Sequence, residues 1–353
     1  MPIDKKIKFA YPVTDIFQAD KQWTYGREPV LRKMPDGTLV CLIYSGGPRE
    51  PSNENVALIS RSSDDGRTWS KPEIMFKHLR RAVWPTELFT EGDKPFAFIH
   101  TFDTPSVYTE LRALQTFTED NGKTWSSPVS PRGVPPNFSV RQGKVLSDGT
   151  WLFPVYWLET LGDWEWTCNG KWFYRSGVIR SSDKGGTFAL SGYLHTDANL
   201  WEPEFVELEP GHLLMFLRCC GAGVLWRSES FDYGATWTYA KPSAIPNGGT
   251  KFVMFKIDGE IVLVNNTDSV PWQRRHLELW VSGDACRSWG KKILLARLPD
   301  EIPNVNADEK FGELPFICYP HGFADHERKE LCLALDAIDR FYFMRVPFAD
   351  FMN

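Results

Sequence analysis

The sequence predicts an all-β fold in which repeated four-stranded units form a β-propeller, and two recurring turn signals support this prediction. The first signal is an eight-residue motif of the form Ser/Thr-x-Asp-x-Gly-x-Thr/Ser-Trp/Phe. It occurs five times, at 62–69, 118–125, 181–188, 230–237 and 282–289. Successive copies begin 56, 63, 49 and 52 residues apart, a period typical of stacked or radial arrays of repeats.

Each copy of the motif has the residues that a tight turn between two strands requires. The aspartate can accept backbone N–H groups inside the turn, the glycine can adopt a positive φ, and the aromatic residue can anchor the turn on its own sheet. Strand-like runs precede the copies, for example 56–60 and 178–180, so the motif joins neighbouring antiparallel strands. The fifth copy departs from the pattern because Cys286 stands where glycine is expected.

The second signal is an Asp-Gly or Pro-Gly turn followed by an apolar run, and it precedes most copies of the motif. It occurs at 36–40, 148–152, 210–214 and 258–262. Two turns in each period imply about four strands per unit, which is the content of one propeller blade.

Composition agrees with this fold and limits the function. With 353 residues, 42% hydrophobic and 14% aromatic, the chain can bury a large core, and the even repeats favour one propeller domain over 1–353. A net charge of −5 disfavours binding to nucleic acid or an anionic membrane. The N-terminus lacks the apolar region of a secretory signal, and the seven cysteines show no regular spacing, so we expect a reduced, cytoplasmic protein. It would be secreted or periplasmic if a leader had been removed.

The five motifs match the Asp boxes of sialidase-type proteins, and the chain resembles that superfamily over nearly its whole length. Five boxed units and a C-terminal segment without a box suggest a six-bladed β-propeller with Asp-box hairpins. The runs 330–335 and 341–346 would be strands of the sixth blade. We expect the N-terminal strand to help close the ring.

The resemblance implies a site near the propeller axis, with three arginines that bind the substrate carboxylate, a nucleophilic tyrosine with a glutamate partner, and an aspartate acid/base. Arg27, eight residues before the turn at 35–39, resembles the first arginine. Glu28 takes the place of the usual apolar residue and could contact a substrate hydroxyl or ammonium group that typical sialidases lack.

Glu202 and Arg218 match the family's order of an inner-strand glutamate, a Val-Glu-Leu strand, a turn, and an apolar strand that ends in arginine. Glu202 therefore corresponds to the partner of the tyrosine, and Arg218 to the second arginine. Glu204 would lie on the same face of a regular strand and competes with Glu202 for this role. An arginine that ends the apolar run 213–217 is costly to bury unless it meets an anion.

Arg274 and Arg275 precede the fifth box by eight and seven residues, where the family places its third arginine. Because neighbouring residues on a strand point to opposite faces, only one can reach the axis, and Arg275 is slightly favoured. Three converging guanidiniums make chemical sense for an anionic ligand, since an arginine–carboxylate pair supplies both charge and orientation.

Tyr319 precedes the final strands as the family's nucleophilic tyrosine does, although Pro320 stands where the family has serine. A phenol has a pKa of about 10, so a carboxylate such as Glu202 must accept its proton. A neutral nucleophile also avoids repulsion with a substrate carboxylate.

The acid/base residue has the weakest match, because the loop 46–55 contains no aspartate. The corresponding position falls near Glu50, with Glu54 and Glu28 as alternates. Either a carboxylate that is one methylene longer performs this step, or the chemistry differs.

Other residues are candidates for shaping specificity or for structural roles. Trp84, Arg141 and the insertion 157–172, which holds four tryptophans, could line a wider cup. His321, Asp325 and His326 lack the spacing of a known metal motif. We interpret these three as structural and expect no metal and no cofactor.

These expectations converge on a sialidase-like, retaining exo-glycosidase that removes a terminal acidic sugar, such as sialic acid or a related 2-ulosonic acid. The substrate would be an acidic glycan or a small sugar acid, and the oligomeric state stays open. Two alternatives remain. A propeller polysaccharide lyase or hydrolase would act on uronic acids, a lyase using Tyr319 and His321 as base and acid. A non-catalytic carbohydrate-binding propeller would keep the arginines without turnover.

Overall fold

The computed structural model describes residues 7–48, 50–92, 94–104, 110–159, 173–219, 221–300 and 316–352. Within these residues the chain forms 25 strands and one short helix. The first twelve strands are β1 (Lys8–Phe9), β2 (Val13–Gln18), β3 (Gly26–Lys33), β4 (Leu39–Ser45), β5 (Val56–Ser62), β6 (Glu73–Phe76), β7 (Ala82–Phe89), β8 (Phe96–Phe102), β9 (Arg112–Phe117), β10 (Ser139–Val140), β11 (Lys144–Val145) and β12 (Trp151–Glu159). The others are β13 (Phe173–Ser181), β14 (Ala189–Tyr193), β15 (Leu200–Glu209), β16 (His212–Cys219), β17 (Val224–Ser230), β18 (Lys241–Pro246), β19 (Val253–Ile257), β20 (Glu260–Asn266), β21 (His276–Ser282), β22 (Lys291–Arg297), β23 (Cys318–Asp325), β24 (Glu330–Asp336) and β25 (Arg340–Pro347), followed by helix α1 (Phe348–Phe351).

These strands form six antiparallel sheets, which are the blades of a propeller. In chain order, blade 1 is β3 to β6, blade 2 is β7 to β9, blade 3 is β10 to β14, blade 4 is β15 to β18, blade 5 is β19 to β22, and blade 6 is β23 to β25. The first strands of neighbouring blades contact one another around most of the ring, which places them nearest the axis. The predicted six-bladed β-propeller is confirmed.

The N-terminal residues close the ring by joining blades made by the C-terminal half of the chain. Strand β2 pairs antiparallel with β25, from Val13 opposite Met344 to Gln18 opposite Arg340. It is therefore the outermost strand of blade 6, as we expected. Strand β1 also pairs with β22 and adds a fifth strand to blade 5, a contact that the sequence did not predict.

Each Asp box follows the third strand of its blade, and in blades 1, 3, 4 and 5 it leads into the fourth. In the first box, the Asp64 carboxylate accepts the Thr68 N–H at 2.9 Å and the Thr68 hydroxyl at 2.6 Å, and Gly66 has a φ of 77°. Corresponding bonds recur in the other four boxes. In the fifth box Cys286 takes the glycine position with a φ of 60°, a conformation that costs a non-glycine residue free energy.

The boxes also hold neighbouring blades together, which goes beyond the expected anchoring on their own sheets. The Trp69 ring packs at 5.6 Å from the Phe343 ring of blade 6. A Cβ atom on Gly66 would lie 2.3 Å from the same phenylalanine ring. Glycine is therefore required here for close approach as well as for its positive φ.

The apolar core is divided among the interfaces between blades. Phe98 of blade 2 packs edge-on against Phe153 of blade 3, with ring centroids 5.6 Å apart, and both side chains are fully buried. Comparable clusters join the other neighbouring blades. Burial of one such phenylalanine contributes about 1.5–3 kcal/mol, so the interfaces hold the inner strands in fixed positions around the axis.

Candidate active site

Three inner strands carry the same backbone irregularity, and each one presents a predicted site residue. Glu28, Glu202 and Tyr319 have φ values of 50°, 50° and 49°, and the pairing register of β3, β15 and β23 shifts at each of them. A proline follows each of these residues, namely Pro29, Pro203 and Pro320. Such bulges redirect a side chain and are frequent beside active sites. Glu28 and Pro320, which departed from the family pattern, thus belong to the same type of backbone bulge, which recurs in three blades.

Tyr319 of blade 6 lies between two arginines. Its ring centroid is 4.8 Å from the Arg27 guanidinium carbon and 4.6 Å from that of Arg274. Burial raises the pKa of Tyr319, and Arg274, Arg218 and Arg27 offset only part of this effect. The phenol therefore needs a proton acceptor to become a nucleophile.

Arg274, rather than Arg275, faces the centre. The Arg274 side chain is 1% exposed and packs over both Phe316 and Tyr319. The Arg275 guanidinium instead donates to the Pro299 carbonyl at 2.7 Å. Our preference for Arg275 was wrong because both residues lie before β21 begins, where strand alternation cannot rank them.

Glu202 lies between two other arginines. Its Oε1 accepts from Arg141 at 2.5 Å and its Oε2 from Arg218 at 2.7 Å, while the Arg218 guanidinium carbon lies 4.9 Å from the centroid of the Trp201 ring. Burial alone would raise the pKa of Glu202, but Arg218 and Arg141 outweigh burial and lower it. The structure thus brings Arg141, predicted only for the wider cup, into direct contact with the predicted partner of the nucleophile.

Glu28 extends this ion-pair network across the axis. Its Oε2 accepts from Arg141 of blade 3 at 3.2 Å and lies 3.8 Å from the Lys251 ammonium, just before blade 5. Burial raises the pKa of Glu28, but Arg141, Lys251 and Arg27 outweigh it and bring the pKa to about 2. Glu28 is therefore ionised at neutral pH, and it is a poor candidate for the acid.

Arg27 is held by a residue that sequence reasoning missed. The fully buried Asp336 accepts the Arg27 Nε–H at 3.0 Å and the Glu28 backbone N–H at 3.1 Å. Asp336 ends the apolar strand β24, much as Arg218 ends an apolar run, and that position was the available signal. Lys251 was also missed, and its position directly before the apolar run 252–255 was a similar signal.

Glu50 approaches the cluster from the loop after β4. Its Oε2 lies 3.6 Å from an Arg27 guanidinium nitrogen, and its side chain is 25% exposed. Burial raises the pKa of Glu50 to about 7, with Glu28 and Asp336 adding to the effect and Arg27 opposing it. Its alternate Glu54 is exposed. A carboxyl group with this pKa is partly protonated at neutral pH, which is what a general acid requires.

Other predicted residues have different surroundings. Trp84 is 5% exposed and packs against Tyr44 and Phe102 between blades 1 and 2, so it is part of an interface between blades. Glu204 pairs with Lys144 at 3.4 Å, and within the described residues it forms no ion pair with Arg141 or Arg218. Of the insertion 157–172, residues 160–172 lie outside the described residues.

His321 belongs to a separate polar cluster next to the bulge at Tyr319. Its Nδ1 accepts the Leu31 N–H at 3.1 Å and lies 3.1 Å from Arg32, which also donates to Glu87 at 2.8 Å. Burial and the charge of Arg32 lower the pKa of His321 well below its ordinary value. The histidine is therefore neutral and occupied in binding the backbone.

Asp325 and His326, which we interpreted as structural together with His321, have unrelated partners. Asp325 pairs with Lys33 at 3.0 Å, and His326 packs against Phe348. The described residues contain no group of three or more His, Cys, Asp or Glu side chains that could hold a metal ion. Nor does this part of the chain include a helix long and apolar enough to cross a membrane.

Comparison of the sequence with known proteins finds a matching family model and two related sialidases. The family model of a BNR repeat-like domain matches residues 76–312. A sialidase of Paraclostridium sordellii is 25% identical over 252 residues, which cover 63% of this chain and 60% of that protein. A second sialidase, from Bacteroides fragilis, is 24% identical over 210 residues and is covered to 36%. The chain therefore spans about 60% or less of the length of these curated relatives.

Solved structures with low sequence identity share the fold. A Hadza microbial sialidase, Hz136, superposes with a TM-score of 0.74 at 16% identity, covering 96% of this chain and 69% of that chain. A protein of unknown function from Dyadobacter fermentans superposes with a TM-score of 0.71 at 14% identity, covering 98% and 99% of the two chains.

Proposed function

Because the chain belongs to the BNR repeat-like domain family and is a divergent member of the sialidase-like superfamily, we propose that it is a retaining exo-glycosidase. It would release a terminal acidic sugar, sialic acid or a related 2-ulosonic acid, whose carboxylate binds to Arg27, Arg218 and Arg274. Its sialidase relatives support a glycoside hydrolase, and the choice of an acidic sugar rests on the arginines around Tyr319.

The convergence of arginines on Tyr319 is the observation that carries this proposal. Arg27 and Arg274 lie against its ring, and Arg218, which pairs with Glu202, is close enough to lower its pKa. Like charges that converge on one point repel each other, so an anionic ligand between them would be favourable. Arginine is suited to binding a carboxylate through two parallel hydrogen bonds.

In the proposed mechanism, Tyr319 attacks the anomeric carbon while the ionised Glu202 accepts the phenolic proton. Glu50 protonates the leaving oxygen, which breaks the glycosidic bond and leaves a sugar–tyrosine intermediate. Glu50 then takes a proton from water, which attacks the same carbon and displaces Tyr319, and the phenolic oxygen recovers its proton from Glu202. Two displacements on one carbon retain its configuration. The raised pKa of Glu50 favours its first role.

The lyase alternative needs His321 as an acid or base, and the contacts of this residue argue against it. The Nδ1 atom is engaged by the Leu31 N–H, and the lowered pKa disfavours a protonated ring at neutral pH. The non-catalytic alternative is decided by the experiment below.

Release of 4-methylumbelliferone from α-ketosides of ulosonic acids, with aryl uronides beside them, tests the proposal. We expect turnover of at least one ulosonide, reduced about a thousandfold or more in Tyr319→Phe because the nucleophile is lost. Tyr342→Phe, which removes the same hydroxyl from a buried tyrosine of β25, is the matched control and should retain activity. Binding of ulosonic acids without turnover would establish a binding propeller instead.

A further inference from the structure

Lys251 and Glu28 form a charged pair within the ion-pair network beside Tyr319, and the resemblance to the sialidase superfamily does not explain this pair. Their side chains are 5% and 10% exposed, and the Lys251 ammonium lies 3.8 Å from Glu28 Oε2. The ammonium also lies 5.6 Å from the centroid of the Tyr319 ring. The pair is therefore beside the proposed nucleophile, within reach of a sugar ring bound there.

Each member of the pair has hydrogen-bonding capacity that its neighbours do not use. Among the described residues, the Lys251 ammonium donates no hydrogen bond, since its distance to Glu28 exceeds hydrogen-bond length. Glu28 Oε2 binds Arg141, but Oε1 accepts no hydrogen bond within the same part of the chain. Leaving a nearly buried ammonium without an acceptor is unfavourable, which points to a ligand as the missing partner.

The network around the pair keeps Glu28 ionised and in place. Arg141 bridges Glu28 to Glu202, and the Glu28 backbone N–H is bound by Asp336. Since Glu28 is held on a bulge by its own backbone and by Arg141, its remaining oxygen has a defined direction. The site thus offers one fixed acceptor and one donor close to each other.

An adjacent donor and acceptor fit a hydroxyl group, which both donates and accepts. A ring oxygen can only accept, and a methylene group can do neither, so it would leave both Lys251 and Glu28 unsatisfied. In a 2-ulosonic acid the anomeric carbon is bonded to the carboxylate, the ring oxygen, the leaving oxygen and carbon 3. Sialic acids have a methylene group at carbon 3.

We propose that Lys251 and Glu28 bind a hydroxyl group on the ring carbon next to the anomeric carbon. The preferred substrate is then a sugar acid with a hydroxyl group at carbon 3, rather than a 3-deoxy acid such as sialic acid. This inference rests on the proposed function, which places the anomeric carbon at Tyr319 and the carboxylate on the arginines.

Two acids that differ only at this carbon test the inference by isothermal titration calorimetry. They are 2-keto-D-gluconate and 2-keto-3-deoxy-D-gluconate. We expect the wild type to bind the hydroxylated acid about tenfold or more tightly, because the deoxy acid leaves two buried polar groups unpaired. Lys251→Met, which keeps a similar length without the charge, should remove most of this preference. Arg274→Met should weaken both acids.

The outcomes separate this inference from the proposed function. Equal affinity of the wild type for the two acids, or tighter binding of the deoxy acid, overturns the hydroxyl subsite while the carboxylate site stands. A preference that survives in Lys251→Met also overturns it. If the wild type binds neither acid, the arginine site itself is refuted and the subsite fails with it. The comparison of the two acids on the wild type is by itself a test of the subsite, so the inference can still be refuted if a variant folds poorly.

Discussion

Asp336 anchors the first arginine of the site, and replacing it with asparagine tests this role. Its buried carboxylate accepts three N–H groups, from Arg27 Nε at 3.0 Å, Glu28 at 3.1 Å and Ile338 at 2.8 Å. In Asp336→Asn one acceptor becomes an NH₂ group, which faces N–H donors, and the charge opposite Arg27 disappears. Breaking a buried ion pair by removing one partner costs about 3–5 kcal/mol.

The loss is measured as the free energy of unfolding in urea, beside a matched control. Asp148→Asn makes the same substitution in an exposed turn, where the carboxylate accepts the Thr150 N–H at 2.9 Å. We expect the control to lose about 1 kcal/mol or less. A difference between the two variants below about 1 kcal/mol would refute the argument that Asp336 compensates a buried guanidinium.

Two further predictions concern the acid and the packing of the Asp boxes. The rate of ulosonide hydrolysis should fall above about pH 7, because burial raises the pKa of Glu50 to about 7. Above that pH the protonated, acidic form of Glu50 decreases tenfold per pH unit. A pH–rate profile that stays flat to about pH 9 contradicts the assignment of Glu50 as the acid. Gly66→Ala should destabilise the protein by about 1–3 kcal/mol more than Gly37→Ala. Both glycines have positive φ, but a Cβ at Gly66 would meet the Phe343 ring, whereas nothing lies within 4 Å of a Cβ at Gly37. Equal losses of unfolding free energy in urea would show that the box does not pack tightly on the next blade.

The fold could be predicted from the sequence because its strongest signals are local. An Asp box forms its hydrogen bonds within five residues, as between Asp64 and Thr68, so each copy can be recognised alone and the period gives the blades. The contact of Trp69 with Phe343 could not be read in this way. It joins residues far apart in the chain, and no local pattern specifies which blade the ring will meet.

The site was predictable only where a residue matched an ordered motif. Glu202 and Arg218 follow such a motif and contact each other directly. Asp336 and Lys251 have no motif, and their partners Arg27 and Glu28 are hundreds of residues away in the sequence. Their roles arise from ring closure, which brings blades 1, 5 and 6 together.

The repeated bulge was not predicted, although the residue-proline pairs that form it are present in the sequence. Glu28, Glu202 and Tyr319 each precede a proline on the first strand of a blade. Compared with the family pattern, Glu28 and Pro320 were single departures. Backbone angles were needed to recognise them as one device, because a Glu-Pro or Tyr-Pro pair does not by itself specify a positive φ.

Covalent trapping of Tyr319 tests the central claim most directly. A 2,3-difluoro ulosonic acid loses its anomeric fluoride to the nucleophile, and the remaining fluorine slows release of the sugar from the enzyme. Intact-protein mass spectrometry should show the addition of one fluorosugar, peptide mapping should locate it on Tyr319, and Tyr319→Phe should show no adduct. An adduct on another residue, or ulosonide turnover by Tyr319→Phe at the wild-type rate, would contradict the proposed nucleophile.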